Sequence, residues 1–504
     1  MSHNLFNLFR SRTQDDNKTF IKTTSGREYT YGMAWDLSAK IANLLSDRGV
    51  VVGDRVAVQV DKSPEAIILY LACLRAGAVF LPLNTAYTLA ELEYFIRDAE
   101  PHIIVASPAR AAEISAMAEP LGVSEILTLG TESNGSLMEE ASAASTSHEV
   151  ASTEATDLAA ILYTSGTTGR SKGAMLTHSN LASNAQTLSE YWQFNANDVL
   201  LHALPIFHTH GLFVATNIIL LSSASMIFLP KFDAAAIRKH MPEATTLMGV
   251  PTFYTRLLKE DWLGRDSTDH MRLFISGSAP LLAETHRAWT ARTGHHILER
   301  YGMTETNMIT SNPYDGARIP GSAGMPLPGV NVRIADIESA KLLPVNEPGV
   351  IEVKGPNVFK GYWQMPEKTQ AEFREDGYFI TGDVGYIDEG GHVYIVGRSK
   401  DLVITGGYNV YPKEVETEID SIGGVEESAV IGLPHSDFGE AVTAVVVLKD
   451  DATLVESEIL SKLDTVLAGY KLPKRVLIEE QLPRNTMGKV LKNELRSKYA
   501  KLYQ

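Results

Sequence analysis

Apolar residues recur along this chain in two alternating rhythms. Short runs rich in β-branched residues, such as Arg55-Val-Ala-Val-Gln-Val60, Ile103-Ile-Val-Ala106 and Ser225-Met-Ile-Phe-Leu229, have the length and composition of buried strands. Between them, Glu65 to Arg75 and Leu89 to Ala99 carry apolar positions at helical spacing. Strand and helix alternating in this way predict a layered α/β architecture. The stretch from Gly130 to Ala155 is dense in Ser, Ala, Glu and Thr and predicts a surface excursion.

After Ala323 the texture shifts to short strands broken by Gly and Pro: Gly349-Val-Ile-Glu-Val-Lys354, Tyr378-Phe-Ile380 and His392-Val-Tyr-Ile-Val396. A helix near Pro412 to Ser421 then precedes strands at Glu427 to Ile431 and Ala441 to Leu448, with a charged helix at the end. The pattern predicts a large N-terminal domain over 1–398, its last part (about 323–397) β-rich, and a small α+β domain over 399–504.

At 504 residues the chain is long enough for two to four structural units. A net charge of −16 carries no basic footprint for nucleic acid or an anionic membrane. An anionic substrate must therefore be held by local positive groups, against the global field. Cys73 is the only cysteine, so there is no internal disulfide and no cysteine metal cluster; its apolar helical context predicts packing. Residues 1–12 lack the pattern of a secretory signal. The apolar stretch from Phe213 to Pro230 is short and contains Asn217, Ser222, Ser223 and Ser225, which suits a buried helix and strand better than a membrane span. A cytoplasmic protein is expected.

Chemistry concentrates first in Thr164-Ser-Gly-Thr-Thr-Gly-Arg-Ser-Lys-Gly173, directly after the apolar run Ala159-Ala-Ile-Leu-Tyr163. Glycines admit close backbone approach to an anion, hydroxyls and amides donate, and Lys172 adds charge. A phosphate cradle between a strand and a helix is expected, and it is not the Walker arrangement. This run resembles the phosphate loop of the adenylate-forming superfamily of acyl-CoA ligases, luciferases and peptide-synthetase adenylation domains. Six further segments match that superfamily in order: Pro205-Ile-Phe-His-Thr-His-Gly211, Ser276-Gly-Ser-Ala-Pro280, Tyr301-Gly-Met-Thr-Glu305, Thr381-Gly-Asp383, Gly397-Arg-Ser-Lys-Asp401 and Pro483-Arg-Asn-Thr-Met-Gly-Lys489. One such match would be weak; seven in order are specific.

The resemblance implies ATP, Mg²⁺ and coenzyme A as cofactors, and a C-terminal domain that rotates to use one site twice. It implies that Thr164, Ser165, Gly166, Thr167, Thr168, Gly169 and Lys172 hold the β/γ-phosphates. Ser276, Gly277, Ser278 and Ala279 would form the adenine-side loop. Glu299, Tyr301, Gly302, Met303 and Thr304 would flank the nucleotide, and Asp383 with Arg398 would take the ribose. Glu305, helped by Thr164, would ligate the metal; alone it would read as a surface acid. Lys489 would stand between the reacting carboxylate and the α-phosphate, where one ammonium offsets the repulsion of two anions. A regulatory acetyltransferase and deacetylase acting on Lys489 would switch that charge. Lys400 matches the hinge, and Gly406 and Gly407 would line a pantetheine tunnel. His208 would border the acyl pocket, completing a catalytic set of Lys489, Glu305, Lys172 and His208.

Substrate choice turns on two arginines. Arg300 precedes Tyr301-Gly302 where many fatty or aryl acid ligases carry a small residue, and Arg256 lies in Gly249-Val-Pro-Thr-Phe-Tyr-Thr-Arg256. Together they resemble the malonyl-CoA synthetases of that superfamily. Two guanidiniums lining the pocket would need a partner charge, and the second carboxylate of malonate or methylmalonate supplies one. Ligation of another short, fatty or aryl acid, or loading of a carrier protein, is the alternative.

Overall fold

The computed structural model describes residues 3–164, 171–406, 408–485 and 488–503. Ser165, Gly166, Thr167, Thr168, Gly169 and Gly407, each singled out above, lie outside the described residues.

Among the described residues the strands form four sheets. In the largest, the strands Val199–His202, Thr246–Gly249, Leu273–Ser276 and Leu298–Met303 run parallel side by side. Their residues are almost wholly buried, which is why the first three are mostly apolar; the fourth, Leu298–Met303, buries Glu299 and Arg300 instead. Parallel strands align their carboxyl ends on one edge, so the turns that follow all open into a common crevice. Those strand ends and turns carry His208, Pro251, Ser276 to Pro280 and Tyr301 to Glu305.

A second sheet holds Arg55–Gln59, Val79–Pro82, Ile103–Ala106, Leu158–Thr164 and Lys172–Thr177. Here the sequence expectation needs correction. Leu158–Thr164 pairs antiparallel with Lys172–Thr177, with Thr164 opposite Lys172, so the Thr/Ser/Gly run joins two strands of a hairpin rather than a strand to a helix. The helix His178–Tyr191 begins only after the second strand, its first turn capped by Thr177. A six-residue strand such as Lys172–Thr177, without a clean alternation, is too short to outweigh a loop signal on sequence alone.

The β-rich region is an antiparallel sheet of Asn331–Ala335, Gly349–Lys354, Phe379–Ile387 and Val393–Arg398. It is less self-contained than its composition suggests: Gly361–Tyr362 crosses over to pair with Lys172–Thr177. The last sheet gathers Val403–Thr405, Tyr408–Val410, Val425–His435, Gly439–Leu448 and Arg475–Glu479, with the helix Pro412–Asp420 packed on it and a separate apolar core beneath. Residues 130–155 are irregular except for one short helix, Ser136–Ala141. Cys73 is fully buried in the helix Pro64–Ala76, and burial raises its thiol pKa, which suits packing. The run from Phe213 is buried as expected, but His210–Thr216 is a π-helical turn, continued by the helix Asn217–Ser222. No helix is long and apolar enough to cross a membrane among the described residues.

Candidate functional site

On the nucleotide side the start of the strand Lys172–Thr177 meets the segment that carries Tyr362 and Glu372. Lys172 Nζ donates to Glu372 Oε1 at 3.1 Å and lies 4.1 Å from the centroid of the Tyr362 ring. The Tyr362 hydroxyl bridges two carboxylates, Glu372 Oε2 at 2.6 Å and Glu305 Oε1 at 3.0 Å. Burial pushes the Glu305 carboxyl above its usual range. A buried carboxylate short of positive charge, in a set of hard oxygen donors, fits a hard dication. Thr164 sits beside this cluster, its Oγ1 turned to the Lys172 carbonyl. Glu372 and Tyr362 were missed in the sequence; they lie some sixty residues past Glu305, in a segment with no anion-binding composition.

Asp383 is buried and doubly engaged. Tyr301 donates its hydroxyl to Oδ2, and Arg398 Nε reaches Oδ1, each at 2.5 Å. Asp383 and Arg398 face each other across the strands Phe379–Ile387 and Val393–Arg398. An ionised carboxylate has about four lone-pair sites, so acceptor capacity is left for a diol. Gly302 is obligatory where it stands: a β-carbon there would lie 2.0 Å from the Asn307 carbonyl oxygen across the tight turn carrying Met303, Thr304 and Glu305. Glu299 accepts from the Leu281 N–H at 3.2 Å through Oε1, while Oε2 has no hydrogen-bond partner among the described residues. Burial pushes its carboxyl up to about 8. It thereby ties the strand Leu298–Met303 to the loop that follows Ser276, Gly277, Ser278 and Ala279.

On the other side of that loop lies Arg300, 3% exposed. Its Nε and Nη2 are buried without a hydrogen-bond partner among the described residues. Burial pushes this guanidinium down to about 9, with Tyr254 opposing the shift. Leaving a charge buried and unpaired costs several kcal/mol, so the fold holds this arginine ready for an anion. His208 lies just before the π-helical turn and His210 opens it, close enough to feel the charge of Arg300. Burial pushes His208 down to about 4, so its ring is neutral, and its Nε2 has no partner among the described residues.

Arg256 departs from expectation. The helix Pro251–Leu258 buries Phe253, Tyr254 and Leu257, which leaves Arg256 on the opposite side with Thr252 and Lys259. Arg256 is exposed, resting 5.6 Å from the Phe232 ring centroid, with no carboxylate partner among the described residues. The expected pair of enclosed guanidiniums is thus a single one, Arg300.

The C-terminal elements dock on that outer face and on the helix Ala283–Thr293. Lys259 pairs with Glu426 at 3.1 Å, and Lys449 with Glu284 at 3.2 Å. A β-carbon on Gly488 would lie 3.2 Å from Thr252 Oγ1. Lys489 therefore enters the crevice, close enough to feel the charges of Arg398, Asp383, Lys400 and Asp401. Desolvation by the crevice walls, then Arg398, pushes its ammonium down to about 8, although solvent still reaches the residue. Lys400 is exposed in the turn Ser399–Asp401, whose Asp401 binds Arg496 at 2.6 Å. Gly406 lies on the far side, at an exposed turn where its N–H donates to the Phe438 carbonyl at 2.9 Å.

Comparison with known proteins shows the family. The family described as "AMP-binding enzyme" matches residues 8–363, and "AMP-binding enzyme C-terminal domain" matches 414–489. The chain is 60% identical to MatB from Rhodopseudomonas palustris, each covering 100% of the other. It superposes on ATP-bound MatB with a TM-score of 0.98 and on apo MatB with 0.87, so its parts are arranged as in the nucleotide-bound form. A malonate–CoA ligase of Arabidopsis thaliana is 35% identical over 94% of this chain and 84% of its own length. A long-chain-fatty-acid–CoA ligase of Bacillus subtilis is 34% identical over 93% and 90%. Identity at that level does not separate a diacid from a fatty acid; the pocket must.

Proposed function

Since the chain belongs to the AMP-binding enzyme family, we infer that it ligates malonate to coenzyme A with ATP, through malonyl-adenylate, releasing pyrophosphate and AMP. The observation that carries the choice of acid is Arg300: a buried guanidinium with two unengaged donors, where an alkyl chain would leave it unpaired. The far carboxylate of a short diacid meets that requirement through charge-assisted hydrogen bonds. Methylmalonate has the same two charges and is a second substrate of this reading.

In the first half-reaction one carboxylate oxygen attacks the α-phosphorus and pyrophosphate leaves. Lys489 stands between the two anions as they meet and stabilises the charge that accumulates there. Lys172 leaves Glu372 for the β- and γ-phosphates and, together with the Thr164–Gly169 segment, holds the pyrophosphate that leaves. Asp383, steadied by Arg398 and Tyr301, takes the ribose hydroxyls. The magnesium ion would be held by Glu305 with the Thr164 hydroxyl, and when bound it neutralises charge on the phosphates. In the second half-reaction the domain over 399–504 turns about Lys400, withdrawing Lys489 and bringing Gly406 and Gly407 to the crevice. The CoA thiolate then attacks the acyl carbon and AMP leaves. A cytoplasmic enzyme silenced by acetylation at Lys489 belongs to the same reading, because an amide there carries no charge.

Pyrophosphate release over a panel of mono- and dicarboxylates tests it, with free CoA set against a carrier protein as acceptor. Malonate with free CoA should lead. A preference for a monocarboxylate sinks the malonate assignment and leaves the ligase chemistry standing.

A further inference from the structure

Arg300 is not alone in lacking a partner. His210, at the start of the π-helical turn, is 2% exposed, and its Nε2 is buried without a hydrogen-bond partner among the described residues. Its Nδ1 lies 3.1 Å from Ser278 Oγ. Ser278 adopts a φ of 71°, a left-handed conformation that strains any residue but glycine. The backbone is bent there to bring a hydroxyl to the imidazole. Gly277, just before, is the seat of the Arg300 guanidinium, and Ser276 Oγ is a further buried atom with no partner among the described residues. Three successive residues thus hold an open hydroxyl, the platform for Arg300 and the clip on His210. Burial first, and then the charge of Arg300, hold His210 far below an ordinary histidine, so its ring is neutral and has one N–H.

We propose that His210 is a second specificity-determining residue for the far carboxylate. Ser278 donates its hydroxyl hydrogen to Nδ1, which places the ring proton on Nε2, and Nε2–H donates to a carboxylate oxygen held by Arg300. The inference rests on the malonate reading and puts His210 in the place that Arg256 was expected to fill. A neutral donor suits that place better than a second cation would. It adds a directed hydrogen bond to the anion without repelling Arg300 in the empty pocket.

The test compares kcat/KM for malonate and for acetate, by pyrophosphate release, in wild type, His210→Phe, His210→Gln and Ser278→Gly. His210→Phe should lower the malonate-to-acetate ratio by about tenfold or more, through the KM for malonate. His210→Gln, whose amide nitrogen reaches toward the Nε2 position, should recover part of the loss. Ser278→Gly relieves the strained φ, so it should lower the ratio without lowering Tm. If His210→Phe does not fold, the other two variants decide. Wild-type ratios in His210→Gln and Ser278→Gly, or a change confined to the KM for ATP, would overturn the inference. A wild-type enzyme that prefers acetate would instead bring down the malonate reading itself.

Discussion

A β-carbon at position 277 would stand 2.3 Å from Cζ of Arg300, so the absence of a side chain at Gly277 is what lets the guanidinium lie flat against the loop. Gly277→Ala must push Arg300 aside. The KM for malonate should rise about tenfold or more, the loss of one misplaced charge-assisted contact. Steady-state pyrophosphate release measures it; an unchanged KM would separate Arg300 from substrate binding.

Removing the charge itself has two opposite effects. Arg300→Met keeps the volume and abolishes the buried unpaired cation, so the substrate-free protein should gain about 1–3 kcal/mol. Its kcat/KM for malonate should fall about a hundredfold or more. Urea midpoints without substrate and assays with malonate read the two effects separately. A variant both less stable and fully active would contradict the role of Arg300 twice.

Lys489 should impose a basic limb on adenylation. Only its protonated form bridges two anions, and in the free enzyme that form is lost as pH rises through about 8. The profile of kcat/KM should fall there, well below the ordinary lysine range. Bound ATP and carboxylate favour the ammonium, so the limb in kcat should move to higher pH. Lys489→Ala should cost about a hundredfold or more and carry no such limb.

Exposed ion pairs fasten the C-terminal elements over the crevice, and exposed pairs are weak. Lys259→Ala combined with Lys449→Ala should slow adenylation by only about two- to fivefold at low salt. Raising the ionic strength to about 0.5 M should bring wild type to the same level. A larger, salt-resistant defect would mean that these lysines do more than hold the domain.

Acid should weaken the fold through His178. Its ring is fully buried, accepts the Leu5 N–H on Nδ1 at 3.2 Å and is held neutral, its pKa pushed down to about 4 by burial. A histidine depressed in the fold contributes stability above its unfolded pKa of about 6.5 and loses it as pH falls from there toward 4. The loss from this one residue amounts to about 3 kcal/mol at the low end. Urea midpoints against pH should show it, and His178→Gln should flatten the slope in that window.

Much of this was legible in the chain. The strands at 55–59 and 103–106 and the helix Leu89–Ala99 fall where apolar periodicity puts them, because burial on one or both faces leaves a local mark. The segments Thr381-Gly-Asp383 and Tyr301-Gly-Met-Thr-Glu305 were legible as well because each is a contiguous string of residues, although their meeting through Tyr301 and Asp383 is a contact between distant parts of the chain. Glu372 and Tyr362 were not, because what joins them to Lys172 is a crossover strand some two hundred residues on. Nor was the hairpin at 164–172, where a loop signal hid a strand.

Arg256 and His210 mark where the division falls. Residue types and their order determined the family and its chemistry and put Arg300 forward as a candidate, all of which depend on groups the chain carries wherever they sit. Which second residue stands near that cation depended on rotation about one helix axis and on a strained φ at Ser278. A helical residue about 100° from its neighbour faces inward or outward according to what packs beneath it. Here Phe253, Tyr254 and Leu257 took the inward side and Arg256 was left facing solvent. Only the packed chain sets that angle.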